Sequence, residues 1–228
     1  MDQKRRIGIY GGTFDPVHSG HLEVARRVSL LFEIDTVVLV PALLAPHKLK
    51  RTTTSHLHRY AMLVLATDNE PGLMVSTFEM EASDRRYTVH TVEYFQAQFA
   101  GRADLFFIMG ADSWSEITTW HEWERLMAIT NHIVVTRPGF EVGIDHLPAA
   151  VRKQIVDVRG PGGPAKAASV PVGNNAIFIS DAVMMEISAT DIRRAAREGR
   201  FSDLEKWVPG PVARYVKKYS LYRDSNEA

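Results

Sequence analysis

Apolar and polar positions alternate in two rhythms along the chain. Short, nearly continuous apolar runs fall at 7–10 (IGIY), 36–40 (TVVLV), 73–77 (LMVST), 104–109 (DLFFIM), 132–136 (HIVVT) and 176–180 (AIFIS). Between them, HLEVARRVSLLF, HLHRYAMLVLAT, TVHTVEYFQAQF and SWSEITTWHEWERLM repeat apolar residues at three- and four-residue steps. Strand-length apolar runs separated by helix-period segments predict a parallel sheet covered on both faces, a doubly wound α/β fold. Such sheets bind ligands outside the carboxyl ends of their strands. The rhythm stops over 138–175, where RGPGGPAKAASVPVGNNA is dominated by Gly, Pro, Ala and Asn. That composition predicts an irregular excursion, with a short helix at LPAAVRKQI, inside a single domain spanning 1–228, because AIFIS resumes the sheet. The chain then runs into helical material: SATDIRRAAREG, FSDLEKW and, after Pro209 and Pro211, VARYVKKYSLY.

Composition narrows the partners. The 228 residues are 45% hydrophobic, enough to fill the core of a domain of that size. Lys plus Arg and Asp plus Glu both number 27, so no global field draws the chain to nucleic acid or to a membrane surface, and a charged ligand must be met by a local cluster. There is no cysteine, which removes disulfides, thiolate catalysis and thiolate metal sites. The apolar stretch behind MDQKRR stops at Tyr10, too short for a signal-peptide core, and TVVLVPALLAP is too short and Pro-interrupted for a membrane span. The expectation is a soluble, cytoplasmic protein with neither nucleic acid nor membrane as partner. Homo-oligomerisation stays open.

The densest chemistry lies in IGIYGGTFDPVHSGH at 7–21. A turn at Gly11 and Gly12 would free backbone amides after the first strand, and a helix starting near His18 adds unpaired N–H groups and a positive dipole end. Together they suit an anion. The string is neither G-x-G-x-x-G nor a P-loop. His18 and His21, three apart at a helix start, share a face and can both touch one polyphosphate, which would favour their charged form. The plain alternative is that the histidines cap the helix while the glycines turn the chain. A second cluster, ISATDIR at 187–193, opens another helix. Ser188 and Asp191 fit a capping box, and Arg193 adds a fork-shaped phosphate donor beside Thr190.

GGTFDPVHSGHL resembles, nearly position for position, the signature of the nucleotidyltransferase superfamily whose hallmark is His-x-Gly-His after the first strand. ISATDIR is similar to that superfamily's triphosphate-binding Ile-Ser-Ser-Thr-x-Ile-Arg, with Ala189 in place of the second serine. APHK (45–48), RRYTVHT (85–91), MGADSWSEITTWHEWERL (109–126) and VVTRPG (134–139) are similar to stretches of the nicotinate mononucleotide adenylyltransferases, in the expected order. Ala45, Arg86 and His90 depart from their pattern. The resemblance implies a Rossmann-like nucleotidyltransferase fold with a helical C-terminal end. It assigns catalysis to His18, His21 and Arg193, and ATP and phosphate binding to Gly11, Gly12, Thr13, Phe14, Gly110, Asp112, Arg137, Ile187, Ser188 and Thr190. It assigns nicotinate mononucleotide to Lys48, Thr88, Trp120 and His121, with Trp120 as platform for the pyridine ring and the amides of Thr88 and His121 meeting its carboxylate. From periodicity alone, Trp120 and Trp123 both sit in a helix and would ordinarily be core.

The implied reaction joins ATP and nicotinate mononucleotide into nicotinate adenine dinucleotide and pyrophosphate, a step of NAD biosynthesis. Mg²⁺ would be carried by substrate phosphates with no dedicated protein ligands. The alternatives are a sister adenylyltransferase for nicotinamide mononucleotide or pantetheine phosphate, a non-catalytic nucleotide-binding module of the same fold, and a class I aminoacyl-tRNA synthetase fragment. HSGH and the tryptophan segment count against pantetheine phosphate, and the lack of a basic face counts against a tRNA partner.

Overall fold

The computed structural model describes residues 4–43, 53–81, 87–136, 142–169, 175–181 and 187–223. Seven strands form one parallel sheet: β1 (Arg5–Gly12), β2 (Thr36–Pro41), β3 (Leu73–Val75), β4 (Ala103–Gly110), β5 (Asn131–Val135), β6 (Ile155–Asp157) and β7 (Ile177–Ser180). Their order is β3-β2-β1-β4-β5-β7-β6, and every pairing is parallel. The order reverses between β1 and β4, which opens a crevice at the carboxyl ends of those two strands. Gly12 and Gly110 stand at its lips.

The period-2 alternation of the strands sorts their side chains onto two cores. Tyr10, Val37, Leu39, Phe106, Ile108, Ile133 and Phe178 face one side, against helices α1 (Ser19–Phe32), α2 (His56–Thr67), α8 (Ala189–Arg197), α9 (Phe201–Trp207) and α10 (Gly210–Lys218). Ile7, Ile9, Val38, Val40, Leu105, Phe107 and Val134 face the other, against α3 (Thr88–Phe99), α4 (Ala111–Ser115) and α5 (Trp123–Ile129). Helix α1 shows how sequence sets this packing: Leu22, Ala25, Val28 and Phe32 recur at three- and four-residue steps and are all buried. At about 1.5–3 kcal/mol for each large apolar side chain, such stripes hold the helices to the sheet.

All six expected strands are present. The seventh, β6, lies inside the stretch expected to be irregular and pairs with β7, and the short helices α6 (Ala149–Arg152) and α7 (Gly163–Ser169) flank it. Three residues on a sheet edge are too few to carry a periodic signal. The stretch SWSEITTWHEWERLM also differs from its expected single helix. Helix α4 ends at Ser115, a 3-10 turn spans Ile117–Thr119, Trp120 is extended (φ −75°, ψ 147°), and Glu122 takes a left-handed φ of 48° before α5. Breaking the helix buries Trp114, Ile117 and Leu126 together, which one straight helix cannot do. Among the described residues no helix is long and apolar enough to cross a membrane.

Candidate active site

The first loop differs from the turn its glycines suggest. Gly11 and Gly12 are the last two residues of β1, paired with Val40 and Pro41 of β2. Absence of a side chain is what these places need: a Cβ on Gly12 would stand 2.9 Å from the Phe14 ring, and one on Gly11 would stand 3.2 Å from Phe107. The chain turns at Phe14 instead, a buried residue in a left-handed conformation (φ 48°). Thr13 is half-buried beside it, and its carbonyl accepts from Arg59.

His18 is the N-cap of α1 and His21 lies in its first turn. Their rings stack with centroids 3.6 Å apart, and Phe14 meets His21 edge-on at 5.0 Å. Gly20 makes the stack possible, since a Cβ there would stand 3.1 Å from Nδ1 of His18. The backbone N–H of His18 donates to Nδ1 of His21 at 3.2 Å. An Nδ1 that accepts leaves the proton of neutral His21 on Nε2, so the ring presents an N–H donor on its far edge. The two histidines therefore do cap the helix, and capping is what orients them.

Helix α8 arrives at the same place. The site of a Cβ on Gly20 is 3.8 Å from Cβ of Ile187, and Nη1 of Arg193 donates to the carbonyl of Asp15 at 2.6 Å. Ser188 is the N-cap and accepts from the amide of Thr190. Asp191 does not complete the expected capping box; it takes an ion pair with Arg194 at 2.5 Å, while Thr190 accepts from Nη2 of Arg193 at 3.1 Å. Two helix N-termini thus converge on the crevice, each a concentration of N–H donors and partial positive charge. Gly110 and the exposed Asp112 lie at the end of β4, where Asp112 occupies the first turn of α4.

The remaining predicted residues gather on the other side of Phe107. Trp120 meets the Phe107 ring edge-on at 6.2 Å. His121 is exposed and stacks on Tyr87 at 4.1 Å; Tyr87 is the N-cap of α3, so Thr88 opens that helix beneath it. His90, one of the departures from the family pattern, reaches the same group at 5.9 Å from His121. Trp123 packs at the margin of the same core, its amide donating to the carbonyl of Trp120 at 3.3 Å. Lys48, Arg137 and Arg86 lie outside the described residues.

Sequence reasoning passed over Arg59. Its guanidinium is 1% exposed and donates to four carbonyls: Thr13 (2.7 Å), Ala42 (2.7 Å), Leu43 (3.2 Å) and Thr54 (3.1 Å). Burial lowers its pKa from the usual arginine value, and nearby Asp15 opposes that shift. The signal was legible: Arg59 stands three, four and seven residues before the buried Met62, Leu63 and Ala66, a cation in an apolar stripe.

The cytidylyltransferase-like family profile matches residues 9–195. A Thermoanaerobacter sp. (strain X514) protein named probable nicotinate-nucleotide adenylyltransferase is 37% identical over 228 residues, 100% of this chain and 99% of its own length. One of the same name from Mycolicibacterium vanbaalenii is 36% identical over 99% of this chain and 95% of its own. The chain belongs to the nicotinate-nucleotide adenylyltransferase family. The fold agrees: the Plasmodium falciparum nicotinic acid mononucleotide adenylyltransferase, solved in complex with NaAD, superposes with a TM-score of 0.70 at 20% identity, covering 96% of this chain and 97% of that one. Family membership gives the crevice between β1 and β4 a chemical context. Among the described residues no group of three or more His, Cys, Asp or Glu is placed to hold a metal ion.

Proposed function

We propose that this member of the family transfers the adenylyl group of ATP to nicotinate mononucleotide, giving nicotinate adenine dinucleotide and pyrophosphate. The observation that carries the reading is the convergence of α1 and α8 on the switch point of the sheet, with His18, His21 and Arg193 between them. A phosphate oxygen of the mononucleotide attacks the α-phosphorus of ATP. The bond from that phosphorus to the bridging oxygen breaks, and pyrophosphate leaves with the electron pair. The nucleophile is already an anion, so no general base is required. What the chain supplies is alignment of two polyanions and relief of their repulsion.

With Gly11 and Gly12 ending β1 beneath it, the triphosphate would be cradled by the amides of Thr13 and Phe14 and the start of α1, with Gly110 and Asp112 at the nucleotide and Ile187, Ser188 and Thr190 opposite. Nε2–H of His21, set by the bond its Nδ1 accepts, is the donor to charge developing on the phosphates. Magnesium carried by ATP would neutralise phosphate charge, and its preference for phosphate oxygens and retained water asks for no dedicated protein cage. On the far side of Phe107, Trp120 offers its face to the pyridine ring and the amides of Thr88 and His121 offer donors to the carboxylate. Lys48 and Arg137 are assigned to phosphate from the family pattern.

The test is pyrophosphate release from ATP and magnesium with nicotinate mononucleotide, nicotinamide mononucleotide and pantetheine phosphate offered separately. The nicotinate compound should give a kcat/KM at least about tenfold above either rival, the scale of one extra charged hydrogen bond. Preference for the amide would overturn the substrate assignment, and no release with any of them would overturn the catalytic one.

A further inference from the structure

Asp15 sits where the two converging helices meet, and the proposed mechanism gives it no part. It is 6% exposed, a depth at which a carboxylate requires partners. Its Oδ2 accepts from the backbone N–H of Thr54 at 3.2 Å, and its Oδ1 accepts from the hydroxyl of Tyr222 at 2.9 Å. Its backbone carbonyl accepts from Nη1 of Arg193 at 2.6 Å. One residue is thus held by its side chain from two directions and holds Arg193 by its main chain.

Tyr222 reaches this position from 207 residues away in sequence, beyond the end of α10. The chain bends to bring it in: Ser220 and Tyr222 both take left-handed conformations, at φ 49° and 70°. Non-glycine residues hold such angles only where their surroundings dictate them, and that combination marks sites where geometry matters. Burial and the neighbouring Asp15 push the Tyr222 phenol well above its ordinary pKa, so it remains a hydrogen-bond donor throughout the working range. Arg59 braces the other side by fixing the carbonyls of Thr13 and Thr54, the segments that flank Asp15.

We propose that Tyr222 is a positioning residue for the transfer reaction: through the carboxylate of Asp15 it fixes the carbonyl that aims Arg193 into the crevice. This rests on the reading of Arg193 as a phosphate ligand. The hydroxyl is engaged by the buried Asp15 carboxylate, so its loss should leave ATP binding in place and loosen the guanidinium that must meet the transition state.

The experiment is a double-mutant cycle on kcat and KM with Tyr222→Phe, Arg193→Lys and the pair. Tyr222→Phe should lower kcat about tenfold and change the KM for ATP by less than about twofold, and in the Arg193→Lys background it should cost less than about twofold, since residues that act through one another are non-additive. An equal factor in both backgrounds, or an unchanged kcat in the single variant, would overturn the proposal; the first is what a merely structural role gives. A readout independent of turnover is the side-chain Nε–H resonance of Arg193 in ¹⁵N-arginine protein without ligand, assigned by its disappearance in Arg193→Lys. It should shift and broaden in Tyr222→Phe, and an unchanged resonance would refute the positioning role. If the native protein releases no pyrophosphate with any mononucleotide, the functional reading falls and this resonance alone decides whether Tyr222 sets Arg193.

Discussion

The two ends of the crevice are built by different physics. At the phosphate end, directed hydrogen bonds fix nearly every group: His18 to His21, Arg193 to Asp15, Arg59 to four carbonyls, Tyr222 to Asp15. At the ring end, Tyr87, His90 and His121 meet one another, and Trp120 meets Phe107, through ring faces and edges, and the ion pairs beside them, Arg125 with Glu122 and Glu93, are solvent-exposed and worth little. Charge transfer to phosphate oxygens needs donors at set positions, because electrostatic stabilisation falls when donors must reorganise. A flat ring needs a flat partner and tolerates sliding. The phosphate end should therefore govern turnover and the ring end affinity. Phe107 is their common wall, against Gly11 on one side and Trp120 on the other.

Replacing one residue at each end tests that division. His21→Ala removes the Nε2–H donor and should lower kcat at least about a hundredfold, the scale of losing one transition-state donor, while circular dichroism shows the fold retained. Near-normal turnover would remove His21 from the mechanism and leave it as a cap. Trp120→Ala should act more weakly and on the other constant, raising the KM for nicotinate mononucleotide about tenfold, the low end of ring stacking on an aromatic side chain, with kcat changed less than about threefold. A fall in kcat equal to the rise in KM would mean that the ring end also orients the reacting phosphate, and the distinction between the ends would collapse.

How far each end was legible in the sequence follows from the same difference. Strands and helices announced themselves through periodicity, and the histidine pair through spacing, since three residues on a helix fix a shared face. The brace behind them did not, because Asp15, Thr54, Arg59 and Tyr222 meet only through tertiary folding and share no local pattern. Arg59 alone left a trace, as a cation in an apolar stripe. At the ring end, Thr88, Trp120 and His121 were named by resemblance to a family; local pattern put Trp120 in a helix, whereas it lies in the extended break that frees it to reach Phe107. Gly11 and Gly12 were read as a turn because glycine favours turns, yet neighbouring rings are what exclude a side chain there.

The smallest expected effect concerns the shared wall. His132, at the start of β5, is fully buried and meets the Phe107 ring at 6.2 Å. Its Nε2–H donates to the carbonyl of Leu126 at 3.1 Å, and among the described residues Nδ1 has no partner, so protonation would bury a charge with nothing to receive it. Burial accordingly lowers its pKa from 6.5 to about 4. Between those values the unfolded chain binds the proton and the folded chain does not, so the stability that neutral His132 provides above pH 6.5 drains away as pH falls toward 4. From pH 7 to 5.5 that linkage removes roughly 1.2 kcal/mol, less than the ~2.7 kcal/mol equivalent to a hundredfold fall in kcat. Urea unfolding of the native protein and of His132→Gln at both pH values should show the variant losing about that much less over the interval. An identical loss would mean that His132 takes up its proton without cost. Because the folded chain keeps His132 neutral over this interval, the wall itself does not change, so kcat and the KM for nicotinate mononucleotide should show no pH dependence that His132→Gln removes.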